Sequence, residues 1–318
     1  MKIVVLDGYA LNPGDLSWDA LAALGELTVH DRSAAGEIDR RCEEADAVLT
    51  NKCSFPRERI ERLTALRYIG VLATGFNIVD VAAARERGVA VTNIPTYGTH
   101  SVAQHTIALL LELANRVGRH SADVESGGWR RNPDWSYSLD PSIELAGKTF
   151  GVIGFGRIGQ QTARIAHAMG MKIVAYDETM THAPSDLPFE WISLKGLLEE
   201  SDVVSLHCPL VEDTRGLINA QTLKRMKKTA FLLNASRGPL VVEEDLAEEL
   251  NSGGIAGAGI DVLNEEPPVS GSLLIGAKNC VITPHMAWAS TEARSRLLGM
   301  AVENLRAWID GTPKNVVT

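Results

Sequence analysis

The sequence predicts an α/β protein with two parallel-sheet domains, and three observations carry that prediction. Short apolar runs alternate with amphipathic stretches from the first residues onward. No long antiparallel pattern interrupts them, so the strands are expected to run parallel with helices on both faces. The alternation pauses after residue 100 and begins anew at Lys148, which marks a second unit. A chain of 318 residues is long for one hydrophobic core and sufficient for two.

In the first half, the runs at 2–7, 47–50, 68–73 and 89–93 read as strands, and 18–24, 37–45, 56–65 and 79–87 as helices. Gly88 follows the last of these, where a residue that accepts a left-handed conformation ends a helix. "SVAQHTIALLLELANRVGRH" (101–120) predicts one long helix with a broad apolar face. "SGGWRRNPDWSYSLDP" (126–141) lacks apolar periodicity and reads as an extended arm or long loop. The second half predicts strands at 149–154, 172–177, 202–207, 230–235, 255–262 and 280–283, with helices at 157–169 and 243–251. A final amphipathic helix over roughly 290–309 closes the chain.

Composition excludes several classes. Hydrophobic residues make up 45%, which argues for packed domains. The net charge of −9 is the wrong sign for a phosphate-backbone binder, so no nucleic-acid partner is expected. Arg116, Arg119, Arg130 and Arg131 cluster locally, as a solvated face or a subunit contact would. No apolar run has the length of a membrane span, and "MKIVVLDGY" reads as a first strand. Cys42, Cys53, Cys208 and Cys280 are scattered without a CxxC pair, which suggests reduced thiols in the cytoplasm.

The most informative stretch is "TFGVIGFGRIGQQTARIAHAMGMKIVAYD" (149–177). A GxGxxG pattern alone is weak, but here a strand precedes it, a helix follows, and the next strand ends in an acid. Gly154 permits a tight turn, Gly156 lets the backbone approach a pyrophosphate, and Gly159 lets helix and strand pack closely. Asp177 suits the two hydroxyls of an adenosine ribose and would repel a 2′-phosphate. No arginine directly follows it, so NAD is expected rather than NADP.

Later strand ends carry polar residues: Arg237 in "NASRG", Asp261 and Glu266 in "DVLNEEPP", and His285 in "ITPHMAWAS". Each has an ordinary structural reading. Together they stand beyond the carboxyl ends of strands, where ligands bind in open α/β sheets. His285 has no second ligand at a recognisable spacing, so no metal site is expected.

With "GFGRIG", "HCPL" followed by Thr214, "NASRG", "DVLNEEP" and "TPH", the chain resembles the D-isomer-specific 2-hydroxyacid dehydrogenase family over essentially its whole length. Within that family "ATGFN" and "TPHMAWAS" most resemble glycerate dehydrogenases, also called hydroxypyruvate reductases. The resemblance implies two Rossmann-like domains. Residues 1–99 with 289–318 would form a flavodoxin-like substrate domain, and 100–288 an NAD-binding domain. It implies reversible hydride transfer between NADH and a small 2-keto acid, with Arg237, Glu266 and His285 as the catalytic residues. The cofactor would be lined by Val102, Gly154, Gly156, Arg157, Ile158, Gly159, Asp177, Cys208, Pro209, Thr214, Ala235, Ser236 and Asp261. Thr74 and Gly75 would hold the substrate carboxylate beside Arg237 and His285. Trp288 would wall the pocket, and Lys52 either reaches the substrate's far end or is an ordinary surface lysine. A homodimer joined through the cofactor domain and an arm at 121–146 is implied as well. Alternatives remain at this point: a reductase of glyoxylate, pyruvate or 3-phosphohydroxypyruvate, or an NAD-sensing protein like the C-terminal-binding-protein corepressors.

Overall fold

Apolar runs become strands in both halves of the chain because their alternate side chains are buried on opposite faces of a sheet. The computed structural model describes residues 1–180 and 183–318. It divides into two compact units, Met1–Gly98 with Ala289–Thr318, and Thr99–Trp288.

In the first unit, β1 (Lys2–Val5), β2 (Glu26–Val29), β3 (Ala47–Thr50), β4 (Tyr68–Val71) and β5 (Ala90–Thr92) form a parallel sheet in the order β2-β1-β3-β4-β5. That is the flavodoxin-like order, with its reversal between β1 and β3. Val4, Val48, Ile69 and Val91 share one core with Ile38, Ile60 and Ala83 of the covering helices. Helix Thr291–Ile309 also belongs to this unit, and its Trp308 ring lies 5.2 Å from that of Tyr68. Beyond it, Val317 N–H donates to the Val91 carbonyl at 2.9 Å.

In the second unit, β6 (Thr149–Ile153), β7 (Lys172–Tyr176), β8 (Glu190–Trp191), β9 (Val203–Leu206), β10 (Phe231–Asn234), β11 (Gly257–Ile260) and β12 (Cys280–Ile282) form a parallel sheet. Its order is β12-β11-β10-β9-β6-β7-β8. This is the dinucleotide-binding order with one added edge strand, reversing between β6 and β9. Phe150, Val152, Val203 and Leu233 face a core shared with helices Thr99–Asn115 and Arg157–Ala168. Ile153, Val204, Leu232 and Ile260 face the opposite core, shared with helices Leu194–Glu200 and Glu243–Ser252.

Two local expectations change. The helix expected over 101–120 is two helices, Thr99–Asn115 and Val117–Glu125, broken at Arg116 with φ 50°. The break has local support. Glu112 accepts from Gly118 N–H through its side chain, and Arg116 pairs with Asp140 at 2.9 Å. The segment expected as an extended arm contains a short helix, Gly128–Arg131. Among the described residues no helix is long and apolar enough to cross a membrane.

Candidate active site

Parallel pairing brings the carboxyl ends of β6, β7, β9, β10, β11 and β12 to one edge of the second sheet. Every cofactor and catalytic candidate of that unit except Val102 therefore follows a strand on the same edge. Val102 is buried on helix Thr99–Asn115.

The glycine loop sits at the sheet's reversal. Gly154 has φ +91°, and a Cβ there would come within 2.3 Å of the Cys208 backbone nitrogen. A Cβ on Gly159 would stand 2.2 Å from the Gly154 carbonyl, so only glycine lets this helix pack so closely on its strand. Gly156 differs: its Cβ position meets nothing within 4 Å. Open space above a backbone turn is what an approaching pyrophosphate requires. Arg157 and Ile158 begin the next helix, whose N-cap residue, Gly156, has no side chain to cap it. Its first N–H groups present the positive end of the helix dipole to an anion. Asp177 directly follows β7 and accepts from Phe155 N–H at 2.7 Å, which locks the acid to the loop. The loop is also held by aromatic packing. The Phe155 ring lies 4.6 Å from Phe189 and 5.3 Å from Trp191.

The next strand ends are stitched together. Ser236 Oγ donates to the Cys208 carbonyl at 2.8 Å, and Thr214 Oγ1 donates to the Pro209 carbonyl at 2.7 Å. Ala235 lies between Asn234 and Ser236, and Asn234 Oδ1 accepts from Ser236 N–H at 3.1 Å. The Ser236 bond joins the chain after β10 to the chain after β9.

Arg237 is exposed, with Nη1 donating to the Ser236 carbonyl at 2.7 Å. Gly238 behind it is pressed against the chain after β11, where a Cβ would lie 2.1 Å from the Leu263 carbonyl. The arginine turn and the Glu266 loop are thus neighbours. Glu266 Oε1 accepts from Leu263 N–H at 3.0 Å, and Oε2 is 2.6 Å from His285 Nδ1. The carboxylate can only accept, so Nδ1 carries the proton in this contact and Nε2 is the ring's other working atom. His285 has φ +52°. Such a left-handed conformation costs a non-glycine residue on the order of 1 kcal/mol or more, so neighbouring contacts must hold it.

Asp261, expected in the cofactor lining, is 1% exposed and heavily engaged within the chain. Its carboxylate accepts from Thr283 Oγ1 at 2.6 Å and from the N–H groups of Met286 and Ala287 at 2.9 Å each. The sequence reading missed Thr283, Ser101 and His105, all of which contact this segment. Trp288, partly exposed, closes the second unit.

Lys52, Thr74 and Gly75 lie in the first unit, at the ends of β3 and β4. Asp7, at the end of β1, accepts from the N–H groups of Asn51 and Lys52 and from Thr50 Oγ1. Asn51 Nδ2 then reaches the Leu72 carbonyl at 2.8 Å, tying the two loops. Thr74 Oγ1 donates to the Ile94 carbonyl at 2.9 Å, and Asn93 Nδ2 donates to the Thr74 carbonyl. The Lys52 side chain is exposed.

Residues 107–287 match the description "D-isomer specific 2-hydroxyacid dehydrogenase, NAD binding domain". A hydroxypyruvate reductase of Blautia hydrogenotrophica is 51% identical across 100% of this chain and 99% of its own. The chain belongs to the D-isomer-specific 2-hydroxyacid dehydrogenase family. A glycerate dehydrogenase of Methylorubrum extorquens is 38% identical over 88% of each chain. Among solved structures, the NAD-complexed D-isomer-specific 2-hydroxyacid dehydrogenase of Lactobacillus delbrueckii ssp. bulgaricus superposes with a TM-score of 0.80 over 100% of both chains, at 27% identity. The protein is accordingly an NAD-dependent oxidoreductase whose second unit contains the family's NAD-binding domain.

Proposed function

We propose that the protein interconverts hydroxypyruvate and D-glycerate, and that Arg237, Glu266 and His285 carry the chemistry. The observation that carries this reading is the 2.6 Å contact between His285 and Glu266 at the edge of an NAD-binding sheet. NAD, when bound, supplies or takes up the hydride at C2 of the acid. The remaining work falls to side chains. Reduction builds negative charge on the keto oxygen, and the Arg237 guanidinium is suited to touch that oxygen and the carboxylate together. His285 gives its Nε2 proton to the developing alkoxide and takes it back in oxidation. Glu266 accepts from Nδ1 and so fixes the tautomer and ring orientation that leave Nε2 for the substrate.

In this reading the first unit is the substrate domain, and Thr74 and Gly75 offer N–H groups to the substrate carboxylate. Among the described residues neither N–H has a hydrogen-bond partner. Trp288 bounds the substrate's side, and Lys52 meets its hydroxymethyl end. In the second unit, Gly154, Gly156, Arg157, Ile158 and Gly159 cradle the pyrophosphate, and Asp177 takes the adenosine ribose. Val102, Cys208, Pro209, Thr214, Ala235, Ser236 and Asp261 line the rest of the cofactor. The acid at Asp177, without a neighbouring arginine, favours NAD over NADP.

We further propose a homodimer formed through the cofactor domain and the arm at 121–146. Helix Val117–Glu125 buries no residue, and Trp129 and Trp135 are 52% and 87% exposed. Burial of Trp135 against a second copy would account for that surface. A stable monomer in sedimentation would overturn this assignment. The cytoplasm suits the free cysteines, three of which are pushed by burial to about 11 or 12 and held as thiols.

Consumption of NADH and NADPH against hydroxypyruvate, glyoxylate, pyruvate and longer 2-keto acids tests the whole reading. The expected result is fastest turnover of hydroxypyruvate with NADH. A preference for glyoxylate or pyruvate replaces the substrate, and no turnover of any acid overturns the assignment.

A further inference from the structure

We propose that His105 and Thr283 are positioning residues that, through Asp261, hold the proton donor His285 in its working conformation. The proposal rests on the reading of His285 as that donor.

The left-handed backbone of His285 places its ring, and something must keep it there. Its own N–H donates to the Asp261 carbonyl at 2.8 Å and to the Thr283 carbonyl at 3.0 Å. The two following N–H groups, of Met286 and Ala287, both end on the Asp261 carboxylate. That carboxylate therefore fixes the turn on the far side of the histidine. It is buried, so its orientation depends on the donors around it rather than on water.

Proton counting then orders the network. Thr283 Oγ1 lies 2.6 Å from Asp261 Oδ1 and 2.9 Å from His105 Nε2. A hydroxyl has one proton, and the carboxylate needs it. The Thr283 oxygen must then accept from His105, which carries a proton on Nε2 whether the ring is neutral or charged. The same Nε2 is 3.5 Å from Asp261 Oδ1, so His105 is a potential counter-charge to the buried acid. The charged and titratable groups around the histidine turn are thus His105, Asp261 and Glu266.

His105 does not act from an isolated position. Ser101, one helical turn earlier on the same face, donates from Oγ to the Ala287 carbonyl at 2.6 Å. Helix Thr99–Asn115 thereby grips the 283–287 segment at both ends, and His285 lies between the two grips. Neither His105 nor Thr283 needs to touch the substrate. Their effect is on where the His285 ring points and how it meets Glu266.

The test compares His105→Gln and Thr283→Ser with His105→Leu and Thr283→Val. Gln places an amide N–H near the Nε2 position, and Ser keeps the hydroxyl. Leu and Val remove the donor at similar volume. His285→Ala is measured beside them. Readouts are kcat and KM for hydroxypyruvate, the NADH dissociation constant, and the pH dependence of turnover. His105→Leu and Thr283→Val are expected to lower kcat by roughly ten- to a hundredfold, the order that a small misplacement costs. NADH affinity should change little. The pH profile of turnover should change as the ring drifts from Glu266, and Gln and Ser should restore most of the loss. Wild-type kcat and pH profile in His105→Leu and Thr283→Val, with His285→Ala inactive, would overturn this proposal alone. Gln as impaired as Leu would do the same. Full turnover in His285→Ala would overturn the proton-donor reading and this proposal with it.

Discussion

At His285 three demands meet: a ring whose Nε2 is left for chemistry, a carboxylate 2.6 Å behind it, and a backbone held at φ +52°. Removing the ring should cost on the order of 10²–10⁴ in turnover, with NADH binding largely retained. Rapid-mixing kinetics on His285→Ala, paired with an NADH titration, checks both halves of that statement. Glu266→Gln keeps shape and loses charge. Because the amide can turn its NH₂ toward Nδ1 and no longer fixes the Nδ1–H tautomer, kcat should fall by roughly ten- to a hundredfold with NADH binding retained. A wild-type kcat in Glu266→Gln would separate the pair functionally. The sequence exposed Arg237, Glu266 and His285 because each is a polar residue abruptly following an apolar strand. It concealed His105, whose partner Thr283 lies 178 residues away, and Asp7, which organises a loop 45 residues away. Local patterns carry no signal for contacts made across the sheet.

At the scale of elements, the glycine loop separates packing from binding. Gly159→Ala forces a Cβ against the Gly154 carbonyl, and should cost about 1–3 kcal/mol of stability as helix and strand move apart. Gly156→Ala meets open space at φ −76°, and should change stability by less than about 0.5 kcal/mol while weakening NADH binding. Thermal melts and NADH titrations of the two variants should therefore diverge. Equal behaviour would mean that Gly156 does not face the cofactor. Most strands were legible because they are buried on both faces and read as unbroken apolar runs. β2 was not, since Glu26 and Thr28 are exposed on an edge strand and leave no such run. β8 is two residues long, below what periodicity resolves. The break at Arg116 was hidden within a continuous apolar pattern, because its support comes from Asp140 and not from a helix-breaking residue.

For the molecule as a whole, acid should act through His207. Its ring ends β9 beside Ser205 Oγ at 2.8 Å, and desolvation pushes it from 6.5 down to about 4. The folded form thus resists a proton that the unfolded chain accepts. His207 contributes fully above pH 6.5, and its contribution drains away as pH falls from 6.5 to 4. Urea unfolding across that window should fall less steeply in His207→Gln. Parallel curves would assign the acid sensitivity elsewhere. The two-sheet architecture was legible because the α/β rhythm restarts at Lys148, and the discontinuity of the first unit because an amphipathic helix follows the last strand. The Trp191 indole rests edge-on against Phe155, the residue between two glycines of the glycine-loop turn. Of the six tryptophans, Trp191 should therefore be the one whose emission changes when that turn closes on a dinucleotide. A chain retaining only this indole would be its own fluorescent reporter, legible without label or substrate.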